Sequence, residues 1–101
     1  MDFEIRDIKE GVVTVARAMG YVIIDTRENG EYNLVRKLHG DNYPRLHIYL
    51  KVAGDRYIFN LHLDQKKPVY KGTHAHNGEY EGPVVETESD RIKEVIHTLG
   101  G

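Results

Sequence analysis

Polar and apolar residues alternate most strictly in the middle of the chain, where the pattern predicts a β-hairpin. Residues 45–52 and residues 57–64 form the two strands, and Gly54-Asp55 lies at the centre of the turn. Folding the chain at this turn places the apolar residues of both strands on one face, because side chains alternate along a strand. The same arrangement pairs polar residues on the other face: His47 with His62, Tyr49 with Asn60, and Arg45 with Asp64.

A second hairpin is predicted immediately before the first. Asn29-Gly30 is a strong turn signal, because the type I′ turn requires positive φ at both central residues. The flanking segments, residues 21–27 and 31–38, are rich in β-branched and aromatic residues and are the predicted strands.

A helical period appears towards both ends of the chain. Apolar residues recur about every 3.6 positions in residues 7–19 and in residues 88–99, which predicts two amphipathic helices. Gly20 follows the first helix and suits a left-handed C-terminal cap. Prolines and glycines in residues 65–85 predict a long loop before the second helix. Residues 3–5 alternate and allow a short leading strand.

This order of elements, α-β-β-β-β-α, predicts one α+β domain over residues 1–101. The expected fold is a two-layer sandwich, in which a four-stranded antiparallel meander carries the N- and C-terminal helices on one face. The order resembles the topology of small α+β folds such as the double-stranded-RNA-binding domain and HicA-type mRNA interferases. The chain has one strand more and shares no motif with them, so no family is identified from the sequence.

Composition excludes several classes of function. The chain has 40% hydrophobic residues, 30% charged residues and a formal net charge of -2, which gives it no overall attraction to polyanions. It has no cysteine, so disulfides and thiolate metal sites are excluded. No apolar run approaches the roughly 18 residues of a membrane span. We therefore expect a cytoplasmic protein that makes no contact with a membrane.

Histidine is the residue type that points to chemistry, with six in the chain. Directly opposed strand residues have Cβ atoms about 4.5–5.5 Å apart, close enough for two imidazoles to share one ion. Asp64 lies on the same face, and the loop that carries His74 and His76 could fold back over it. Imidazoles with a carboxylate are typical ligands of Zn or Mn. The predicted metal ligands are His47, His62, Asp64, His74 and His76.

The same residues also allow catalysis without a metal. His47 or His62 would act as the general base and Asp64 would orient the imidazole ring. The other polar residues of the hairpin would then contact substrate, as in a phosphoester hydrolase or nuclease. Arg45 or Lys51 would hold a phosphate, and Tyr49 and Asn60 would position the substrate.

A binding module without enzymatic activity is the alternative. Lys66, Lys67 and Tyr70 combine positive charge with an aromatic ring, which is typical of surfaces that bind nucleic acid. The chain has seven tyrosines, a residue enriched at interfaces, so a protein partner or a homodimer is also an alternative. In the simplest alternative, the histidines lie on a solvated strand face and bind nothing.

Overall fold

A computed structural model describes residues 1–65, 78–79 and 82–100 of the chain. It has an α+β fold in which an antiparallel sheet carries two helices, as predicted. The elements are β1 (Asp2–Ile5), α1 (Val12–Met19), β2 (Val22–Thr26), β3 (Glu31–Lys37), β4 (Arg45–Ala53), β5 (Arg56–Asp64), β6 (Gly78–Glu79) and α2 (Pro83–Gly100).

The strands run in the order β1-β5-β4-β3-β2 across the sheet. Strands β2 to β5 form the predicted antiparallel meander. The β4–β5 hairpin has the predicted register, with His47 opposite His62 and Arg45 opposite Asp64. This agreement follows from strict alternation, because a shift of one residue would move the apolar side chains out of the core.

The prediction of four strands is wrong, because the sheet contains a fifth full strand at its edge. Strand β1 pairs with the first half of β5, and the short β6 pairs with the end of β5 on the same edge. The ring of Phe3 stacks on that of Phe59 with centroids 4.8 Å apart, and the N-terminal amino group donates to the carbonyl of Leu61 at 2.8 Å. Burial of Phe3 therefore makes the N-terminal segment part of the sheet.

Both helices differ from the predicted bounds. Helix α1 begins at Val12 because the chain before it is tied elsewhere: Asp7 is left-handed, with a φ of 62°, and the Ile8 N–H donates to the Asp55 carbonyl at 2.9 Å. Gly20 ends α1 with a φ of 84°, in the predicted capping conformation. Helix α2 begins at Pro83, inside the predicted loop, because proline suits a first helical position whose N–H has no helical partner.

One hydrophobic core joins the helices to one face of the sheet. The fully buried side chains include Leu46, Ile48 and Leu50 from β4, Phe59 and Leu61 from β5, and Val15, Met19, Val85 and Ile92 from the helices. Strand alternation therefore turns His47 and His62 to the opposite face. Neither helix in the described part of the chain is long and apolar enough to cross a membrane.

Candidate metal centre

The sheet face opposite the helices, called the site face below, is organised in transverse rows of directly paired residues. Row 1 contains Asp64, Arg45 and Lys37; row 2 contains His62, His47, Val35 and Val22; row 3 contains Asp2, Asn60, Tyr49, Asn33 and Asp25; row 4 contains Glu4, Ile58, Lys51 and Glu31. Neighbouring rows lie two residues apart along β1, β3, β4 and β5, so their side chains emerge on the same face. On β2 the spacing between rows 2 and 3 is three residues, because the pairing is irregular between Ile23 and Asp25.

Rows 1 and 2 bring two imidazoles and one carboxylate together. Asp64 Oδ1 lies 3.1 Å from His62 Nε2, and Asp64 Oδ2 lies 3.3 Å from His47 Nδ1. The two imidazole rings have centroids 4.6 Å apart, at an angle of 51°. One donor atom from each of His47, His62 and Asp64 can be chosen so that all lie within 4.8 Å of one another. The hairpin register thus places three metal-binding side chains around one point.

Both histidines are buried, although the two described helices pack on the opposite face of the sheet. His47 is 7% exposed and His62 is 4% exposed, so the alternative of a solvated strand face is wrong for these two side chains. The Tyr49 ring has its centroid 4.5 Å from that of His47 and 5.4 Å from that of His62. Buried imidazoles interact with charges and ions more strongly than imidazoles in water, because the local dielectric constant is lower.

Asp64 is held in its charged form by its neighbours. Burial alone would raise the pKa of this carboxyl, but hydrogen bonds from His47 and His62, together with their positive charge when protonated, lower it below its usual range. Arg45 lies directly opposite, with its Nε 3.4 Å from Asp64 Oδ2. The Arg45 guanidinium also lies 4.8 Å from the centre of the Tyr43 ring. Asp64 therefore offers an ionised and oriented carboxylate to a bound group.

His47 also has a nitrogen available for a ligand. Its Nδ1 faces Asp64, whereas its Nε2 is buried and has no hydrogen-bond partner among the described residues. A buried polar atom without a partner costs free energy, and such atoms are rare in folded proteins. A bound ion or a substrate group at Nε2 would remove that cost. His47 can thus bind an ion through Nδ1, or through Nε2 while Nδ1–H donates to Asp64.

The geometry is compatible with a metal ion of ordinary size. Nitrogen and oxygen ligands lie about 2.0–2.2 Å from zinc, so two ligands of one tetrahedral ion are roughly 3.3–3.5 Å apart. The distances from the Asp64 oxygens to the histidine nitrogens, 3.1 and 3.3 Å, are close to this separation. The three donor atoms as a set span up to 4.8 Å, so the side chains must move closer together before one ion contacts all three.

The other predicted site residues have different outcomes. Arg45 and Tyr49 contact the cluster, whereas Asn60 and Lys51 lie on rows 3 and 4 of the same face. Five predicted residues lie outside the described part of the chain: His74, His76, Lys66, Lys67 and Tyr70.

Three residues of row 3 were not predicted from the sequence, namely Asp2, Asn33 and Asp25. Asp2 joins the row through the pairing of β1 with β5, and Asp25 joins it after an irregularity in the pairing of β2 with β3. The alternation of residues 2–5 was the available signal for Asp2.

Comparison of the chain with protein-family models, with curated proteins and with solved structures finds no match.

Proposed function

We propose that the protein binds one divalent ion, zinc or manganese, through His47, His62 and Asp64, and uses it to hydrolyse a phosphoester. The observation that supports this proposal best is the convergence of two buried imidazoles on one carboxylate. These donors suit both metals, since imidazole favours zinc and carboxylate suits manganese.

The described residues supply three ligands, and three is the number that a catalytic centre uses. Structural zinc sites are closed by four protein ligands, whereas catalytic sites have three and keep a position for water. Water bound at the open position would lose a proton near neutral pH, because the ion stabilises hydroxide.

The charge of row 1 favours an anionic substrate group. Arg45 and Lys37 lie side by side on β4 and β3, next to Asp64. Arginine binds phosphate oxygens through planar pairs of N–H donors, and its charge would offset that developing on the phosphoryl group. In the proposed hydrolysis, the oxygen of water would form a bond to phosphorus as the bond to the leaving-group oxygen breaks, and a bound ion would supply the acidity that activates this water. The leaving group takes up the proton that the water released.

Elemental analysis of untagged protein, purified without a chelator, tests the metal site. We expect about one equivalent of zinc or manganese in the wild-type protein and none in His47→Ala or His62→Ala. The matched control is His97→Ala, which removes an exposed histidine of α2. Hydrolysis of bis(p-nitrophenyl) phosphate by the metal-loaded protein should be lost in the same two variants and retained in the control.

Metal-free protein that also shows no calorimetric uptake of zinc or manganese would overturn the proposal. Metal uptake that survives in His62→Ala would also overturn it, because the ion would then lie elsewhere. The double variant His74→Ala with His76→Ala tests the sequence prediction that the loop adds ligands. The binding-module alternative predicts instead that Lys66→Ala and Lys67→Ala weaken nucleic-acid binding in a salt-dependent way.

A further inference from the structure

A cavity of about 440 Å³ lies on the site face beside the metal centre. Its lining includes all five residues of row 3, and Ile58, Lys51 and Glu31 of row 4. Tyr49 belongs both to this lining and to the ring cluster of His47 and His62. A molecule with its reacting group at the histidines could therefore extend past Tyr49 into the cavity.

Each end of row 3 carries an asparagine that is hydrogen-bonded to an aspartate. Asn60 donates its side-chain N–H to Asp2 Oδ1, and Asn33 donates its side-chain N–H to Asp25 Oδ2 at 3.5 Å. A carboxylate can only accept hydrogen bonds, so each amide must turn its NH₂ group towards its aspartate. The amide oxygens and the remaining carboxylate lone pairs accept hydrogen bonds, Arg27 and Lys51 donate them, and the Tyr49 hydroxyl does both. A hydroxyl group, which also donates and accepts, matches this mixture.

The charges around the cavity disfavour a polyanion. Its lining holds three carboxylates, from Asp2, Asp25 and Glu31, against two cationic groups, from Arg27 and Lys51. Binding of a nucleic-acid backbone depends on an excess of lysine and arginine, which is not found here. The three carboxylates and two cationic groups nearly cancel, so the best match is an uncharged group that forms hydrogen bonds.

Tyr49 and Ile58 are apolar residues of the cavity lining that lie on the site face. The Tyr49 side chain is 50% exposed, and Ile58 is partly buried on the neighbouring strand. An aromatic ring can pack against C–H groups while the polar residues around it bind hydroxyls. A sugar combines these properties, since it carries hydroxyl donors around an apolar ring face.

We propose that this cavity binds a neutral, hydroxyl-rich group of the sugar class. Its assignment as the non-reacting part of the substrate rests on the metal-dependent function proposed above. In that arrangement the phosphoester lies at His47 and His62, and the sugar lies over row 3. Asn33 and Asn60 accept hydrogen bonds from its hydroxyls, and Tyr49 packs against its ring.

Nuclear magnetic resonance titration of metal-free, ¹⁵N-labelled protein tests the cavity independently of the metal. The probes are D-ribose, D-glucose, putrescine and a single-stranded DNA dodecamer. We expect saturable shifts with at least one sugar, confined to the amides of residues 31–33, 49–51 and 58–60. The affinity should fall at least fivefold in Asn33→Leu and Asn60→Leu. It should be unchanged in Asn42→Leu, which alters an exposed loop residue.

The outcomes separate this proposal from the previous one. Absence of saturable shifts with both sugars, or an affinity unchanged in both asparagine variants, would overturn the sugar assignment even if the protein binds metal. Stronger binding of putrescine or the dodecamer at these amides would overturn it as well. Sugar binding in a protein that takes up no metal would support the cavity as a binding site and remove only its role in hydrolysis.

Discussion

His47 Nδ1 and Asp64 Oδ2 lie 3.3 Å apart, although the two residues are diagonal neighbours on β4 and β5. Asp64 is directly opposite Arg45, whose Nε lies 3.4 Å from the same oxygen. Its other oxygen lies 3.1 Å from His62 Nε2. One carboxylate therefore contacts both candidate imidazole ligands and an arginine, which makes Asp64 the central residue of the site.

Replacement of Arg45 by methionine should weaken metal binding without unfolding the protein. Arg45 orients Asp64, and loss of a residue that orients a metal ligand typically costs about 10–100-fold in affinity. Calorimetric titration with zinc measures the change. Arg6→Met is the control, because Arg6 is exposed and pairs with Glu4 away from the site. Equal affinities in the two variants would contradict a role for Arg45 in positioning Asp64.

Asp64 should make the metal-free protein less stable in acid. The pKa of Asp64 is lower in the folded protein than in the unfolded chain. The contribution of Asp64 to the free energy of unfolding is therefore present above the ordinary pKa of about 3.9, and it is lost as the pH falls below that value. We expect Asp64→Asn to lower the free energy of unfolding by about 1–3 kcal/mol at pH 7 and by less at pH 2.5. Urea unfolding at the two pH values measures this. If Asp64→Asn lowers the free energy of unfolding equally at both pH values, the Asp64 carboxylate is not stabilised by its neighbours.

Tyr21 should make the protein less stable in alkali. Burial, and then the negative charge and hydrogen bond of Glu88, raise the pKa of this phenol. The contribution of Tyr21 to the free energy of unfolding is therefore present below the ordinary pKa of about 10. It is lost as the pH rises above that value, because the phenol then ionises readily only in the unfolded chain. Tyr21→Phe, which removes the 2.6 Å hydrogen bond to Glu88, should cost about 1–3 kcal/mol at pH 8. Urea unfolding should show a smaller loss of stability in Tyr21→Phe at pH 11 than at pH 8. A larger loss at pH 11 would contradict the raised pKa of Tyr21.

Two hairpin glycines should tolerate alanine differently. Gly30 and Gly54 both have positive φ, at 80° and 66°. A Cβ at Gly30 would lie 2.7 Å from the Val52 carbonyl oxygen, whereas one at Gly54 would meet nothing within 4 Å. We expect Gly54→Ala to cost about 1 kcal/mol from backbone strain alone, and Gly30→Ala to cost clearly more. Thermal unfolding of the two variants measures the difference. Equal losses would show that the Val52 contact is easily relieved.

The sequence predicts the centre of the molecule better than its edges. Residues 45–64 alternate strictly around a glycine turn, so their register and the grouping of His47, His62 and Asp64 follow from local pattern. Strand β1 is only 4 residues long, and its partner β5 lies more than 50 residues away in the chain. Such pairing depends on burial of Phe3 against Phe59, which no local pattern determines.

The chemical environment of the site could be predicted only in part. Cross-strand pairing indicates which side chains are neighbours, but the alternation of residues does not indicate that His47 and His62 are buried. The symmetric arrangement of row 3 depends on strands β1 and β2, which meet the hairpin only in the complete sheet. For these reasons the histidine cluster was predicted and the cavity beside it was not.

Anomalous diffraction at the zinc edge, from crystals grown with zinc and without chelator, tests the central claim most directly. We predict one strong peak within roughly 2.0–2.3 Å of a nitrogen of His47, a nitrogen of His62 and an oxygen of Asp64. The peak should be absent from crystals of His62→Ala grown in the same way. Zinc bound at other residues, with none at His47, His62 and Asp64, would contradict the proposed metal site. These three residues are the best set of metal ligands among the described residues, so zinc should bind there first.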